Sequence, residues 1–321
     1  MPNREEPQRE GSRSPSKLDT VRRSPLSIIF LRLVKWTSRG RVALQGQTIL
    51  KIGLVIVIAF VLMTVIANKF PLITGYHPTL YRDAPRLQPP SLHHWMGTDH
   101  LQRDVFSRIL AGGYASLIVA FSAVALSMAA GSILGWISGF VGGWLDRVLS
   151  LAMDAIYSFP SMILAIVLVA MFGSGIAPMI WAVAFVYIPT YFRVTRAEVL
   201  QVRETTYVEA IRAVGASSAR IIVRHVAPNT VNAIMAVSSF NLADAILTVA
   251  ALSFLGFGLP PPAPDWGFDI QNGQKFLQSG AWWLITFPGL MIIILSLGFG
   301  LIGEGISDLV NPRRRRKRKR L

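Results

Sequence analysis

Side chains that take part in chemistry are sparse in this sequence. The chain of 321 residues has no Cys, so disulfides, thiolate metal ligands and cysteine nucleophiles are excluded. All five His residues lie between apolar segments, and the pair His93 and His94 is too small a cluster to predict a metal site. No P-loop of the GxxxxGK[ST] type occurs, so we expect no ATP hydrolysis by this chain itself.

One charged segment, residues 96–110, stands directly before a long apolar stretch and reads MetGlyThrAspHisLeuGlnArgAspValPheSerArgIleLeu. Asp99, Arg103 and Asp104 lie close together in it. Because an opposite charge nearby lowers the cost of burying an ion, we expect these side chains to pair within a structured element.

Asp244 is a carboxylate inside an apolar segment, in the sequence SerPheAsnLeuAlaAspAlaIle. Ionisable residues in such segments are costly and are functional candidates by default. Asp244, with Asn241 beside it, fits either a structural hydrogen bond within a bundle or contact with a transported solute. Asp154 is expected to be an interfacial or helix-packing group.

Residues 207–229 have the pattern of two short amphipathic helices around a glycine. An apolar stripe is predicted at helical spacing, with charged residues away from it. Gly215 is expected to form a left-handed C-terminal cap, Ser217 to cap the next helix and Pro228 to end that helix. On periodicity alone, a loop that covers helix ends fits as well as a docking element. The predicted stripe is Leu200, Tyr207, Ile211 and Val214, and the charged residues off it are Glu198, Glu209 and Arg212.

The apolar segments that must position these groups indicate an all-α membrane protein, a polytopic helical bundle. Hydrophobic residues make up 52% of the chain, charged residues only 15%, and the mean hydropathy is +0.47. Six apolar windows are long enough to cross roughly 30 Å of hydrocarbon as helices. We place them at 49–68, 114–140, 148–172, 176–194, 230–257 and 284–305.

The distribution of Lys and Arg predicts a multi-pass protein of the cell membrane with both termini and the 195–229 loop in the cytoplasm. The 195–229 loop and the tails are rich in Arg, whereas the 258–283 connection has Lys275 as its only cation. The connection after the first span conflicts with this rule, since Lys69, Arg82, Arg86, Arg103 and Arg108 would all face outward.

The chain is predicted to divide into four parts. These are a cytoplasmic tail at 1–48, a first span with its extracytoplasmic loop at 49–95, a transmembrane domain at 96–310 that includes the 195–229 loop, and a basic tail at 311–321. The basic tail resembles a nucleic-acid-binding run, but its place directly after a span favours contact with anionic lipid headgroups and no nucleic acid.

The 207–229 segment resembles the Glu-Ala-Ala loop of ABC importer permeases of the dipeptide, oligopeptide and nickel class. Glu209, Ala210 and Gly215 occupy the signature positions, and Ile211 replaces a second Ala. The resemblance implies a coupling helix that docks onto an ATPase subunit, formed by Tyr207, Glu209, Ala210, Arg212, Gly215 and Pro228.

Other motifs extend this resemblance over roughly residues 40 to 313. Gly97, Thr98, Asp99, Arg103 and Asp104 match an extracytoplasmic motif of the same family. Gln102 stands where the family has Gly, so a conformation open only to Gly is expected to be lost there. The segments 251–258, 265–267 and 282–289 also match, while Val249 replaces a usual Glu.

The resemblance implies partners and cofactors. They are a second permease subunit, usually in a heterodimer, two cytoplasmic ATPases that bind ATP and Mg, and an extracytoplasmic solute-binding protein. No cofactor is expected on this chain. The solute is expected to be a peptide, with nickel or an oligosaccharide as alternatives. An ion-coupled secondary transporter is a remote alternative, because no internal repeat is visible. A membrane-embedded enzyme is a weaker one.

Overall fold

The computed structural model describes residues 48–70, 74–79 and 85–310. Nearly all of the predicted N-terminal tail and the whole basic C-terminal tail lie outside the described residues. Within the described residues every regular element is a helix, so the predicted all-α class is confirmed. They are α1 (Thr48–Lys69), α2 (Val105–Val141), α3 (Gly143–Tyr157), α4 (Ser161–Phe172), α5 (Ile176–Arg203), α6 (Thr206–Ala213), α7 (Ser218–Phe257, with π-helical stretches at Ile222–Val226 and Ser253–Phe257), α8 (Trp266–Gly273) and α9 (Trp283–Val310).

The packing of α2 against α5 sets the architecture. Gly131, Gly135 and Gly139 recur at every fourth residue of α2, so they form a smooth stripe on one face. A Cβ on Gly135 would lie 2.8 Å from the backbone oxygen of Phe192, which means that the two backbones nearly touch. Small residues at such spacing let membrane helices pack by close van der Waals contact.

The same contacts show that α2 and α5 run parallel. Gly131 faces Tyr191, and two turns further along, Gly139 faces Val199. A chain that leaves α2 at one end of the bundle must return to the other end before α5 begins. The intervening α3 and α4 therefore cross the bundle together.

The third span is consequently not the straight helix predicted over 148–172. Its two halves, α3 and α4, meet at a bend of 90° around Ser158 and Pro160. Proline lacks the amide hydrogen and blocks the preceding turn, so a helix cannot pass through it undisturbed. Five other described helices are long and apolar enough to span a membrane, and with the bent pair they make six crossings.

The described ends of the chain lie at the same end of the bundle as the connection between α5 and α7. Gly305 near the end of α9 packs on Leu50 at the start of α1, so these helices are antiparallel. α7 and α9 are antiparallel too, since the Ser296 hydroxyl donates to the Ala243 carbonyl while Gly303 meets Phe240. The C-terminal part of α9 therefore runs toward the end of the bundle from which α7 enters.

We expect Gly135→Ala to destabilise the protein by about 1–3 kcal/mol, because the added Cβ has no room against the α5 backbone. Gly300→Ala on α9 is the matched control, since no atom lies within 4 Å of its Cβ position. That variant should be neutral or slightly stabilising through helix propensity. Thermal unfolding of the purified subunit in detergent measures both, and equal midpoints for the two variants would contradict close packing at Gly135.

Candidate functional site

At the end of the bundle where α2 begins, the charged segment forms a compact hairpin. Asp99 pairs with Arg103 at 2.6 Å, and both side chains are buried. The other carboxylate oxygen of Asp99 accepts hydrogen bonds from the amides of Leu101 and Arg103, each at 2.8 Å. The predicted pairing of charges is thus present, and it closes a tight turn.

Asp104 caps α2. One of its oxygens accepts from the Ser107 amide and hydroxyl at 2.8 and 2.7 Å, and the other lies 2.9 Å from His94 Nδ1. An acidic N-cap satisfies amides that have no partner in the first helical turn. Asp104 is 3% exposed, so these bonds replace the water that it gives up.

Gln102 has φ of +62°, which corrects the expectation that the left-handed conformation would be lost without Gly. The turn hydrogen bond from its amide to the Asp99 carbonyl, at 3.2 Å, and the Asp99–Arg103 pair hold the backbone in place. Gln therefore adopts the left-handed region at a steric cost.

Gly97 and Thr98 join this hairpin to α9. The Trp283 indole donates to the Thr98 carbonyl at 3.1 Å, and the Thr98 hydroxyl donates to the Pro85 carbonyl at 2.5 Å. Gly97 has φ of +76°, and a Cβ there would lie 2.8 Å from the Trp283 indole nitrogen. Only Gly combines that conformation with so close an approach.

A second buried ion pair joins Arg108 to Asp269, and it was not predicted from the sequence. Arg108 is 2% exposed and donates to Asp269 at 2.6 Å. It also donates to the carbonyls of Pro78, Pro262 and Ala263. Arg103 and Arg108 are two of the five cations that conflicted with the charge rule, and each is paired with a carboxylate.

The connection that carries Asp269 is held by a further buried carboxylate, Asp265. It caps α8 through the Gly267 amide at 2.9 Å and accepts from the Ser253 hydroxyl at 2.8 Å. Burial raises the pKa of the Asp265 carboxyl, while the bonds from Ser253 and from the Phe268 amide oppose that shift.

We expect Arg108→Ala to destabilise the protein by about 3–5 kcal/mol, since it leaves Asp269 and three carbonyls without their cation. Arg193→Ala removes an exposed pair with Asp154 and should cost about 1 kcal/mol or less. Thermal unfolding in detergent compares the two, and similar losses for both would contradict the role given to the buried pair.

Gln102→Gly should raise stability by about 1 kcal/mol or less, because Gly occupies the left-handed region without steric strain. Leu101→Gly, at the neighbouring position without positive φ, should lower stability. Opposite signs in the two unfolding midpoints are expected, and a loss with Gln102→Gly would contradict strain at that position.

At the opposite end of the bundle, α6 ends in the predicted glycine break. Gly215 has φ of +82°, its amide donates to the Arg212 carbonyl at 3.0 Å, and the Ala216 amide donates to the Ile211 carbonyl at 3.4 Å. These two bonds are the Schellman pattern of helix termination.

The buried face of α6 differs from the predicted stripe. Val208 is fully buried and packs with Phe140, Val199, Ile221 and Val226. Ile211 is partly buried beside this cluster, whereas Val214 is 84% exposed and Tyr207 41% exposed. The bundle therefore covers Val208 and part of Ile211, and it leaves Tyr207 and Val214 of the predicted apolar stripe exposed.

The segment after the break is also longer than predicted. Ser217 stands at the N-cap position but makes no capping hydrogen bond with its side chain. Pro228 does not end a helix, because α7 continues through it into the span, after a π-helical stretch at Ile222–Val226. The structure therefore has one helix where we predicted a short helix and the separate span 230–257.

The exposed face of α6 is apolar in part and has no partner among the described residues beyond a few polar contacts. Glu209, Ala210 and Arg212 are exposed, as is Val214. The Asn229 amide donates to the Tyr207 hydroxyl at 2.9 Å, which holds that ring against the start of α7. The Arg212 guanidinium stacks over Phe140 at 5.1 Å.

Ion pairs fasten α3 to α5 near this same end. Arg196 binds both carboxylate oxygens of Asp146, at 2.6 and 2.7 Å. Asp154 pairs with Arg193 at 2.7 Å on an exposed surface, in accord with the predicted helix-packing role.

Asp244 lies between these two ends, on an exposed part of α7. Its carboxylate accepts from the Tyr187 hydroxyl of α5 at 2.6 Å. Asn241, one turn before it, is buried. The structure thus places Asp244 and Asn241 together, and separates them from both the hairpin and α6.

Comparison with known proteins identifies the chain. The family described as binding-protein-dependent transport system inner membrane component matches residues 131–316, more than half of the sequence. The chain belongs to this family. It is a multi-pass permease subunit, and its family implies an ATPase and a solute-binding protein as partners.

Several relatives resemble this permease over most of its length. It is 38% identical over 262 residues to the dipeptide transport system permease protein DppC of Alkalihalophilus pseudofirmus, covering 82% of this chain and 85% of that protein. It is 41% identical over 266 residues to a putative peptide transport system permease protein of Brucella suis, covering 82% and 87%. The probable D,D-dipeptide transport system permease protein DdpC of Escherichia coli is 36% identical over 270 residues, covering 84% and 89%.

A solved structure shares the fold of this permease. A chain of the MetNI methionine ABC transporter in an inward-facing conformation superposes with a TM-score of 0.53 at 18% identity, covering 64% of this chain and 96% of that one. At this identity the likeness concerns the fold alone, and it agrees with the helical bundle described above.

Proposed function

We propose that this permease forms half of the translocation path of an ATP-driven peptide importer. A second, similar but non-identical permease subunit would form the other half. The relatives named above carry dipeptide and peptide transport in their names, which favours a peptide over nickel or an oligosaccharide as the solute.

The exposed face of α6 is the observation that carries this proposal. Val208 anchors the helix to the bundle, while Ala210 and Val214 are exposed and Tyr207 is partly exposed beside α7. Exposed apolar residues on an ordered element mark surfaces that bind other proteins. An ATPase subunit is the partner that fits this surface in a binding-protein-dependent transporter.

The end of the bundle that carries α6 is assigned to the cytoplasm. Arg residues are abundant there, whereas the cations Arg103 and Arg108 at the other end are held in buried pairs. With this orientation, both termini are cytoplasmic and the Asp99 hairpin is extracytoplasmic. The Arg residues of the cytoplasmic end are Arg193, Arg196, Arg203, Arg212, Arg220 and Arg224.

The work of this permease is mechanical, and ATP and Mg are bound by the partner ATPases. Closure of the ATPases on ATP moves α6 together with α7, because Ile221 and Val226 of α7 pack with Val208 in one cluster. The spans then shift between inward-open and outward-open states. Asp244 and Asn241 lie on the part of α7 that faces the translocation path.

An ATPase subunit should co-purify with the permease when the two are expressed together with the second permease. Reconstituted vesicles should take up a dipeptide only with ATP and the solute-binding protein present. Uptake driven by an ion gradient in the absence of the ATPase would contradict the proposal and identify a secondary transporter.

Gly215→Val should uncouple ATP hydrolysis from transport while the bundle stays folded, because a β-branched residue resists the left-handed conformation that ends α6. Gly280→Val is the control, since Gly280 has φ of +86° in an equally open place at the other end. Uptake per ATP hydrolysed should fall for Gly215→Val alone. Full transport by that variant would show that the break is not needed for coupling.

A further inference from the structure

A column of polar side chains runs along one face of α7. Ser238, Asn241, Asp244 and Thr248 are three or four residues apart, so they lie above one another over about 15 Å. They face α5, where Tyr187 and Tyr191 are one turn apart. The Tyr187 hydroxyl is 2.6 Å from Asp244 and 3.3 Å from Thr248.

The column continues into a buried polar contact with α5. Tyr191 is fully buried and Asn241 is 9% exposed. The Tyr191 hydroxyl lies near the side chains of Ser238 and Asn241, although it makes no hydrogen bond of good geometry with either. The polar groups of this column and of α5 therefore form one continuous polar strip between the two helices.

Among the described residues, no cation is paired with Asp244. None of the ion pairs of the described residues includes it, and α7 has no Lys or Arg after Arg224. Arg193, the nearest cation along α5, is paired with Asp154. The carboxylate nevertheless stands exposed at the middle of the apolar segment 230–257, where contact with lipid costs several kcal/mol.

We propose that Asp244 and Tyr187 form an ammonium-binding site in the translocation path. The ligand class is a primary ammonium group, such as the amino terminus of a peptide. Tyr187 donates to one carboxylate oxygen of Asp244, which orients the carboxylate and leaves the other oxygen for the cation. This assignment rests on the proposed function for the nature of the solute, whereas the cation preference of the site does not depend on it.

The absence of Cys from the sequence permits a direct test of that preference. Thr248→Cys places a thiol one turn from Asp244, in the assembled transporter and with the rest of this chain unchanged. Two methanethiosulfonate reagents, one with a trimethylammonium group and one with a sulfonate group, are compared by the rate at which they label this chain.

We expect the ammonium reagent to label faster, and the ratio of the two rates to fall about tenfold when Asp244→Asn is added, because the attracting charge is removed. Leu297→Cys, on an exposed apolar face of α9, serves as the control for labelling from lipid. An unchanged ratio, or no labelling of Thr248→Cys by either reagent, overturns the site.

The solute is tested separately with trialanine in vesicles that contain the whole transporter. Asp244→Asn should lower the rate of uptake at least about tenfold, and Asp244→Glu should restore a large part of it. Asp154→Asn, which breaks an exposed pair, is the matched control. Uptake by Asp244→Asn at the normal rate overturns the assignment of the ligand.

The two experiments separate the failure of this site from the failure of the proposed function. If the unaltered transporter does not take up trialanine but the labelling ratio still depends on Asp244, the cation site stands and the peptide is the wrong solute. If a variant fails to assemble with its partners, Tyr187→Phe is used in both experiments. Because it keeps the ring and removes only the donor, it should lower the labelling ratio and uptake several-fold, and no change in either overturns the site.

Discussion

Close approach of α2 and α5 determines where the other helices can lie. Backbones that touch at Gly135 cannot slide past one another without opening a gap, since no side chain is present to fill it. The two helices are parallel, so the chain between them has to return across the bundle. The return crossing formed by α3 and α4 follows from this one contact, and so does the position of α6 at the end where α2 and α5 both finish.

Burial of charge at the other end has a similar organising effect. Arg108 contacts a carboxylate 161 residues away in the sequence and three carbonyls from two separate connections. A guanidinium has five donors in a fixed plane, so a single side chain can hold several segments at once. Such a network stabilises the protein because the hydrogen bonds of the buried charges are satisfied. The attraction between the two charges alone would contribute little.

The sequence was a good guide where local chemistry decides the structure. The left-handed cap at Gly215 and the pairing of Asp99 with Arg103 depend on residues a few positions apart, and both were predictable. The residue that packs α6 against the bundle, Val208, depends on which residues of α2, α5 and α7 the helix meets, so helical periodicity alone could not identify it. The partner of Arg108 could not be predicted either, because no local sequence pattern links residue 108 to residue 269. Gln102 shows a further limit: a fixed turn can hold a residue in a conformation that its type disfavours.

The continuity of α7 has a mechanical consequence. No loop interrupts it between Ser218, just after α6, and Asp244, so the two are joined by a stiff rod of about 39 Å. Tilting such a rod by roughly 10° about one end displaces the other end by about 7 Å, which is more than one helical turn of about 5.4 Å. A small displacement by an ATPase subunit at the membrane surface would thus move Asp244 at the centre of the bilayer. Between Ser218 and Asp244, the π-helical stretch at Ile222–Val226 is the place where the helix could bend instead.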